Sequence, residues 1–177
     1  MKEYYDSNNN GKSFDVRWSV KKDISGMLDV ERKSSDNPWT EDIFHQYLTE
    51  RNSIMVVAYP EKKYNEILGF MVYELRKGKI NLVSLAVDPD FRREGIGSIM
   101  IRKLKSKLSV NRRKEIIFNI RESNRGGQLF LKNQEFKAIG IYRKYYEDTG
   151  EDAYHMSYKI NENDVIQNRI SKYFLRH

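Results

Sequence analysis

Apolar residues recur along this chain in two rhythms, and the switch between them lays out its elements. Phe14, Val16, Trp18 and Val20 alternate with polar residues, which predicts a first strand over 14–20. Lys22 and Asp23 then offer a start for a helix that carries Ile24, Met27, Leu28 and Glu31 on one side. The segment 37–44 breaks the chain at Pro38 and restarts it at Thr40, a helix cap, with Phe44, Tyr47 and Leu48 facing inward. Two apolar strands are expected over 53–59 and 66–75, joined by a polar turn at 60–63. Lys77-Gly78 signals a hairpin into a third strand that ends in Leu85, Ala86 and Val87. A helix follows with Ile96, Ile99, Met100, Leu104 and Leu108 at helical spacing. A short strand at 115–120, a helix at 125–133 capped by Ser123-Asn124 and bearing Leu129 and Phe130, and strands at 136–142 and 153–160 complete the run.

This order of strands and crossovers predicts a three-layer α/β domain over 14–160, with a mixed, mostly antiparallel sheet, one central parallel strand pair and flanking helices. Residues 1–13 are polar and read as a flexible leader. Residues 161–177 read as an amphipathic C-terminal helix with Val165, Ile166, Ile170 and Phe174 on one face.

The junction between the strand ending at Val87 and the next helix carries the candidate chemistry. Asp88-Pro89-Asp90 stops the strand, and Arg92-Arg93-Glu94-Gly95-Ile96-Gly97-Ser98 opens the helix. The first amides of a helix have no partner inside it, and the dipole favours negative charge there. Gly95 and Gly97 let main chain approach a phosphate that side chains would hold off. The spacing Arg-x-x-Gly-x-Gly lacks both the Gly-Lys-Ser/Thr of a Walker loop and the third glycine of a dinucleotide fingerprint.

Composition narrows the options further. The chain has 177 residues and no cysteine, so disulfides, thiolate metal sites and a cysteine nucleophile are excluded. His45, His155 and His177 are too scattered to suggest a metal cluster, and none is expected. No signal-peptide core or membrane-length apolar run occurs, so the cytoplasm is the expected location and no membrane partner is expected. The net charge is +7, with seven basic and no acidic residues from Arg102 to Lys114. Most of these fall opposite the apolar stripe of the central helix and read as a solvated face, and nucleic acid is not expected as a partner.

The segment 87–97 resembles the acetyl-coenzyme A loop of the GNAT N-acetyltransferases, in which backbone amides after the arginine hold the pyrophosphate. Three further segments are similar to RimI-type ribosomal-protein N-terminal acetyltransferases: the Pro-Trp helix start at 37–44, Arg121-Glu122-Ser123-Asn124, and the run from Lys144 to Met156. The resemblance covers about 14–160. It implies acetyl-CoA as co-substrate, bound by Leu85, Ala86, Val87, Arg92, Arg93, Glu94, Gly95, Ile96, Gly97, Ser98 and Asn124. It implies substrate contacts at Trp39, Tyr142 and Tyr146. It does not carry over at the catalytic positions. The family's glutamate base is Asn119 here, its tyrosine acid is Leu131, and a glycine of its helix motif is Glu135. Asparagine cannot take a proton and leucine cannot give one. Asn119 with a bound water, and Tyr145 as acid, are the substitutes the sequence offers, while His155 reads as structural.

A missing base handicaps acceptors unequally. An α-amine, with pKa near 7.7–8.0, is about 10–20% neutral at pH 7, while a lysine amine is only ~0.04% neutral, a difference of roughly 3.5 kcal/mol. The expected acceptor is therefore the N-terminal α-amine of a protein or peptide, with a ribosomal protein among the candidates. A small-molecule amine and a coenzyme-binding module without catalysis remain as alternatives.

Overall fold

The computed structural model describes residues 13–160; the expected leader and C-terminal helix lie almost wholly outside them. Eleven principal elements follow one another: β1 (Phe14–Trp18), α1 (Ile24–Ser34), α2 (Glu41–Thr49), β2 (Ser53–Pro60), β3 (Gly69–Leu75), β4 (Gly78–Val87), α3 (Ile96–Lys105), β5 (Arg113–Arg121), α4 (Arg125–Asn133), β6 (Lys137–Tyr146) and β7 (Glu151–Lys159). One-turn 3-10 helices sit at Lys21–Asp23 and Pro89–Phe91. The architecture is a mixed α/β fold with central strands and flanking helices, as the order of elements predicts. The described chain parts into two compact units, residues 13–75 with 82–104, and residues 76–81 with 105–160.

In the first unit the strands run in the order β1-β2-β3-β4, with β1 antiparallel to β2 and β2 to β3. Strands β2 and β3 are buried along nearly their whole length, which is why their sequences are continuous apolar runs instead of alternating ones. On one side Ile24, Met27, Leu28 and Val30 of α1 and Phe44 of α2 pack with Met55, Val57, Phe70 and Val72. Glu31, on the same helix, is also buried, and its carboxylate accepts the Trp39 N–H at 3.2 Å. Burial pushes its carboxyl up, and the Trp39 bond offsets part of that. Helix α3 buries Ile96, Ile99, Met100, Ile101 and Leu104. It stops at Lys105, so Leu108, expected as its last apolar position, lies beyond it and only half-buried.

Asp23 occupies the residue before α1, as the sequence predicts, yet its carboxylate does not cap that helix. It accepts the Val20 N–H at 2.8 Å and both Arg17 Nη groups, at 2.6 and 2.8 Å. The pair is well covered, with side-chain exposures of 12% for Arg17 and 3% for Asp23. Burial alone would raise the Asp23 carboxyl; the bonds from Arg17 and Val20 and the guanidinium charge outweigh it and hold the pKa below the ordinary value. A depressed folded-state pKa stabilises above the unfolded value near 3.9 and stops doing so as pH falls through the folded value. Asp23→Ala is expected to cost about 3 kcal/mol in urea unfolding at pH 7, because a covered guanidinium loses its partner. The gap from wild type should narrow below about pH 4; a gap independent of pH would show that the pair contributes no charge-dependent stability.

In the second unit the order is β5-β7-β6, all antiparallel, with Asn119 directly opposite His155. Edge strand β6 runs four residues past the predicted end at 142, through register shifts between Ala138 and Gly140 and between Tyr142 and Tyr146. Helix α4 turns Leu131 inward and leaves Leu129 53% exposed, the reverse of the expected face for Leu129. Glu135, where the resembled family has glycine, adopts φ +64°, so the left-handed helix end survives with a side chain on it.

The basic run from Arg102 to Lys114 is not one solvated face. Lys103 Nζ donates to the Val16 carbonyl in the first unit. In the second, Lys105 Nζ sits 2.7 Å from Glu135 and 3.8 Å from the centre of the Tyr158 ring. Arg112, Arg113 and Lys114 lie after the helix, in the turn and in β5.

Candidate functional site

The candidate residues fall into two groups, one in each unit. In the first, β4 ends in Leu85, Ala86 and Val87, all half-buried, and the chain then turns through Pro89–Phe91. Asp88 organises this turn. Its main-chain N–H donates to the Leu68 carbonyl at 2.8 Å, and its carboxylate accepts the Asp90 N–H at 3.1 Å and Lys33 Nζ at 2.7 Å. Ser34 Oγ donates to the Val87 carbonyl at 3.3 Å, and Arg92 Nε reaches the same oxygen at 3.3 Å. Asp88 is buried, which by itself raises its carboxyl; Lys33 and the Asp90 N–H more than reverse this. Lys33 and Ser34 were not singled out by the sequence, because both come from α1, more than fifty positions away in the chain.

Beyond Asp88 the backbone takes two left-handed steps, Arg93 at φ +68° and Gly95 at φ +84°, before α3 begins at Ile96. Such left-handed steps turn main-chain N–H groups toward a common hollow, a form that suits an anion. Ile99 N–H donates to the Gly95 carbonyl, so the amides of Gly97 and Ser98 precede that bond at the positive end of a ten-residue helix. Arg92 and Arg93 are exposed beside it and add positive charge. The turn therefore has the donors, the charge and the open backbone that a diphosphate requires. Trp39, expected at the substrate, stacks on Tyr47 at 5.1 Å and meets Phe44 edge-on at 5.4 Å. Its ring is packed against the first unit's core.

In the second unit Asn119, Arg121, Tyr142, Tyr145, Tyr146 and His155 form one connected cluster. Asn119 Oδ1 lies 2.6 Å from His155 Nδ1, a contact between residues directly opposite on β5 and β7. Tyr146 donates its hydroxyl to the Asn119 main-chain carbonyl at 3.1 Å, and burial pushes its pKa up to about 12 against the opposing charge of Arg121. The Arg121 guanidinium covers the Tyr146 ring at 3.9 Å while bonding Asp148 at 2.6 Å, Thr149 at 3.0 Å and Glu151 at 3.4 Å. This ties the end of β5 to the turn between β6 and β7. Tyr142 and Tyr145 stack at 5.8 Å and remain nearly half exposed. Leu131, at the resembled family's acid position, is 1% exposed and has no proton to give.

Asn124 caps α4 through Oδ1, which accepts the Gly127 N–H at 2.8 Å. That bond uses the side-chain oxygen of Asn124, a residue the resemblance lists among the coenzyme contacts. Gly127 is required by this arrangement, since a Cβ there would lie 2.8 Å from Asn124 Oδ1 and 2.6 Å from Ile120 Cδ1. The pairing of His155 with Asn119 was not foreseen. The only hint in the sequence was an alternating strand with a histidine on it.

Comparison with known proteins addresses the chain as a whole. The family model described as the acetyltransferase (GNAT) domain matches residues 51–145, more than half of the chain. An N-alpha-acetyltransferase of Sulfurisphaera tokodaii is 27% identical over 160 residues, covering 83% of this chain and 93% of that protein. The ribosomal protein bS18-alanine N-acetyltransferase of Escherichia coli K12 is 24% identical over 141 residues, covering 78% and 93%. The crystal structure of the Escherichia coli ribosomal-protein-S18-alanine N-acetyltransferase superposes with a TM-score of 0.72 at 21% identity, over 85% of this chain and 97% of that one.

Proposed function

The chain belongs to the GNAT acetyltransferase family, and from that premise we propose that it moves an acetyl group from acetyl-CoA to the N-terminal α-amine of a protein or peptide. The observation that carries the reading is the turn before α3, with left-handed Arg93 and Gly95 leading into a helix start. The main-chain amides from Arg93 to Ser98 hold the diphosphate of the coenzyme, and the exposed Arg92 and Arg93 add attraction for it. The end of β4, at Leu85, Ala86 and Val87, lies beside the acyl arm, where a main-chain N–H supports the carbonyl oxygen as charge develops on it.

The choice of an α-amine rests on acid strength. No carboxylate occupies position 119, so the chain favours an acceptor that is already partly neutral near pH 7. Curated relatives act on N-terminal amines, one of them on a ribosomal protein, and this supports the same acceptor class here. The exposed pair Tyr142 and Tyr145 at the edge of the second unit offers flat surfaces for a peptide backbone.

The test is a competition. The purified chain is incubated with acetyl-CoA and two peptide pools, one with free N-termini and no lysine, the other with blocked N-termini and free lysine, and products are read by mass. Acetyl groups should appear in the first pool at least 10²-fold faster. Equal labelling of both pools would overturn the α-amine assignment. Coenzyme binding by calorimetry without acetylation of any peptide or polyamine would leave a binding module instead of an enzyme.

A further inference from the structure

We propose that Lys33, at the end of α1, is a positioning residue for the coenzyme. Through the Asp88 carboxylate it holds the turn after β4 in the shape that grips a diphosphate, and it cancels acidic charge that would repel that ligand. The role rests on the coenzyme reading of the turn given above and adds to it the side chain that keeps the turn in shape. All the residues concerned lie in the first unit.

Asp88 is where the chain leaves β4, and each of its polar groups is engaged. Its N–H donates to the Leu68 carbonyl at 2.8 Å, and its carbonyl accepts the Phe91 N–H at 2.9 Å. Oδ1 accepts the Asp90 N–H at 3.1 Å, and Oδ2 accepts Lys33 Nζ at 2.7 Å. The Phe91 and Asp90 bonds close the 3-10 turn Pro89–Phe91, and the Leu68 bond ties its root to the segment before β3. Lys33 alone among these partners comes from α1. The next residue, Ser34, donates Oγ to the Val87 carbonyl at 3.3 Å, so the last two residues of α1 hold the two residues from which the turn springs.

The anchor is fixed on its own side. Met27, Leu28 and Val30 seat α1 in the first unit's core, and the Ser35 N–H closes its end on the Glu31 carbonyl at 2.9 Å. A cation in the last turn also suits the helix dipole. The Lys33 side chain is 52% exposed and that of Asp88 only 8%. Removing the ammonium therefore opens no cavity, but it leaves a covered carboxylate without its bonded cation. Such a carboxylate turns toward water and releases the Asp90 amide, which loosens the path into Arg93 and Gly95.

The charges act in the same direction. The bond to Asp88 pushes the Lys33 amine above its ordinary value against burial, and the charges of Asp88, Asp90 and Asp29 add to it. Burial raises the Asp88 carboxyl, and Lys33, the Asp90 N–H and the Arg92 charge more than reverse this. Both partners are thus charged near pH 7. Asp88 and Asp90 belong to the turn itself, so without Lys33 they set negative charge a few residues before the amides that receive an anion.

The experiment is a mutant cycle on the full chain, read by calorimetric titration with acetyl-CoA, with circular dichroism confirming that each variant is folded. Lys33→Met keeps the apolar stem and should weaken binding about 10-fold, as for a turn that holds its binding shape roughly a tenth of the time. Lys33→Arg restores the cation and should stay within about threefold of wild type. The decisive variant combines Lys33→Met with Asp88→Asn. Asparagine still accepts the Asp90 N–H and leaves no charge unpaired, so affinity should return to within about threefold of wild type. A double variant as weak as Lys33→Met would mean that Lys33 does not act through Asp88, and it overturns the assignment. Wild-type affinity in Lys33→Met overturns it too, since a side chain that only stabilised the fold would leave Kd in place. Either result, with coenzyme bound by the wild-type chain, removes the role of Lys33 alone; no binding by the wild-type chain removes the coenzyme reading itself.

Discussion

Gly95→Val is expected to weaken acetyl-CoA binding by about 30-fold while the fold persists. Gly95 sits at φ +84°, a region that β-branched side chains rarely enter. Holding valine there costs about 2 kcal/mol, and a chain that relaxes to negative φ instead turns its amides away from the anion. Either route subtracts from binding, and about 2 kcal/mol corresponds to roughly 30-fold in Kd. Calorimetric titration with acetyl-CoA reads the loss, and circular dichroism at 25 °C checks that the chain is folded. Gly78 is the control. It also has a positive φ, +77°, in the hairpin turn before β4, with nothing within 4 Å of an added Cβ. Gly78→Val should lose comparable stability and keep its coenzyme affinity. Equal affinity in the Gly95 variant and wild type would mean that the turn does not grip the diphosphate.

The second large effect is structural. Phe44→Ala should reduce unfolding free energy by about 3–5 kcal/mol. Phe44 is fully buried and meets Trp39 and Phe70 edge-to-face at 5.4 and 5.2 Å. Aromatic pairs of this geometry add about 0.5–1.5 kcal/mol beyond buried area. Domains of this size commonly hold only about 5–15 kcal/mol in total, so the variant should unfold at a much lower urea midpoint. Phe44→Leu keeps most of the volume and should cost about 1.5 kcal/mol or less. A loss below 1 kcal/mol for the alanine variant would contradict the packing of α2 on the first unit's core.

Much of the fold was legible because its signals are local. The strand-stopping Asp88-Pro89-Asp90, the cap at Asn124 and the apolar runs of β2 and β3 all act over a few residues. Element ends were less legible. β1 stops two residues before the alternation does, because Asp23 draws the Val20 amide into a 3-10 turn. β6 continues to Tyr146 because bulges carry it past the point where its alternation fails. Helix α4 faces the other way at Leu129, since nothing in nine residues says which of Leu129, Phe130 and Leu131 the rest of the chain will cover.

The candidate site divides along the same line. A backbone that takes positive φ at Gly95 and runs at once into a helix start leaves its marks within a dozen residues, so the turn from Asp88 to Ser98 could be read as a turn from sequence alone. Asn119 and His155 are thirty-six residues apart, and only the pairing of β5 with β7 brings Oδ1 within 2.6 Å of Nδ1. Lys33 and Asp88 are fifty-five apart and meet only because α1 packs where it does. Short-range sterics and main-chain hydrogen bonding are written into neighbouring residue types; the partner of a charge or a ring nitrogen is set by which distant segments share a core, and that is decided only when the chain has folded.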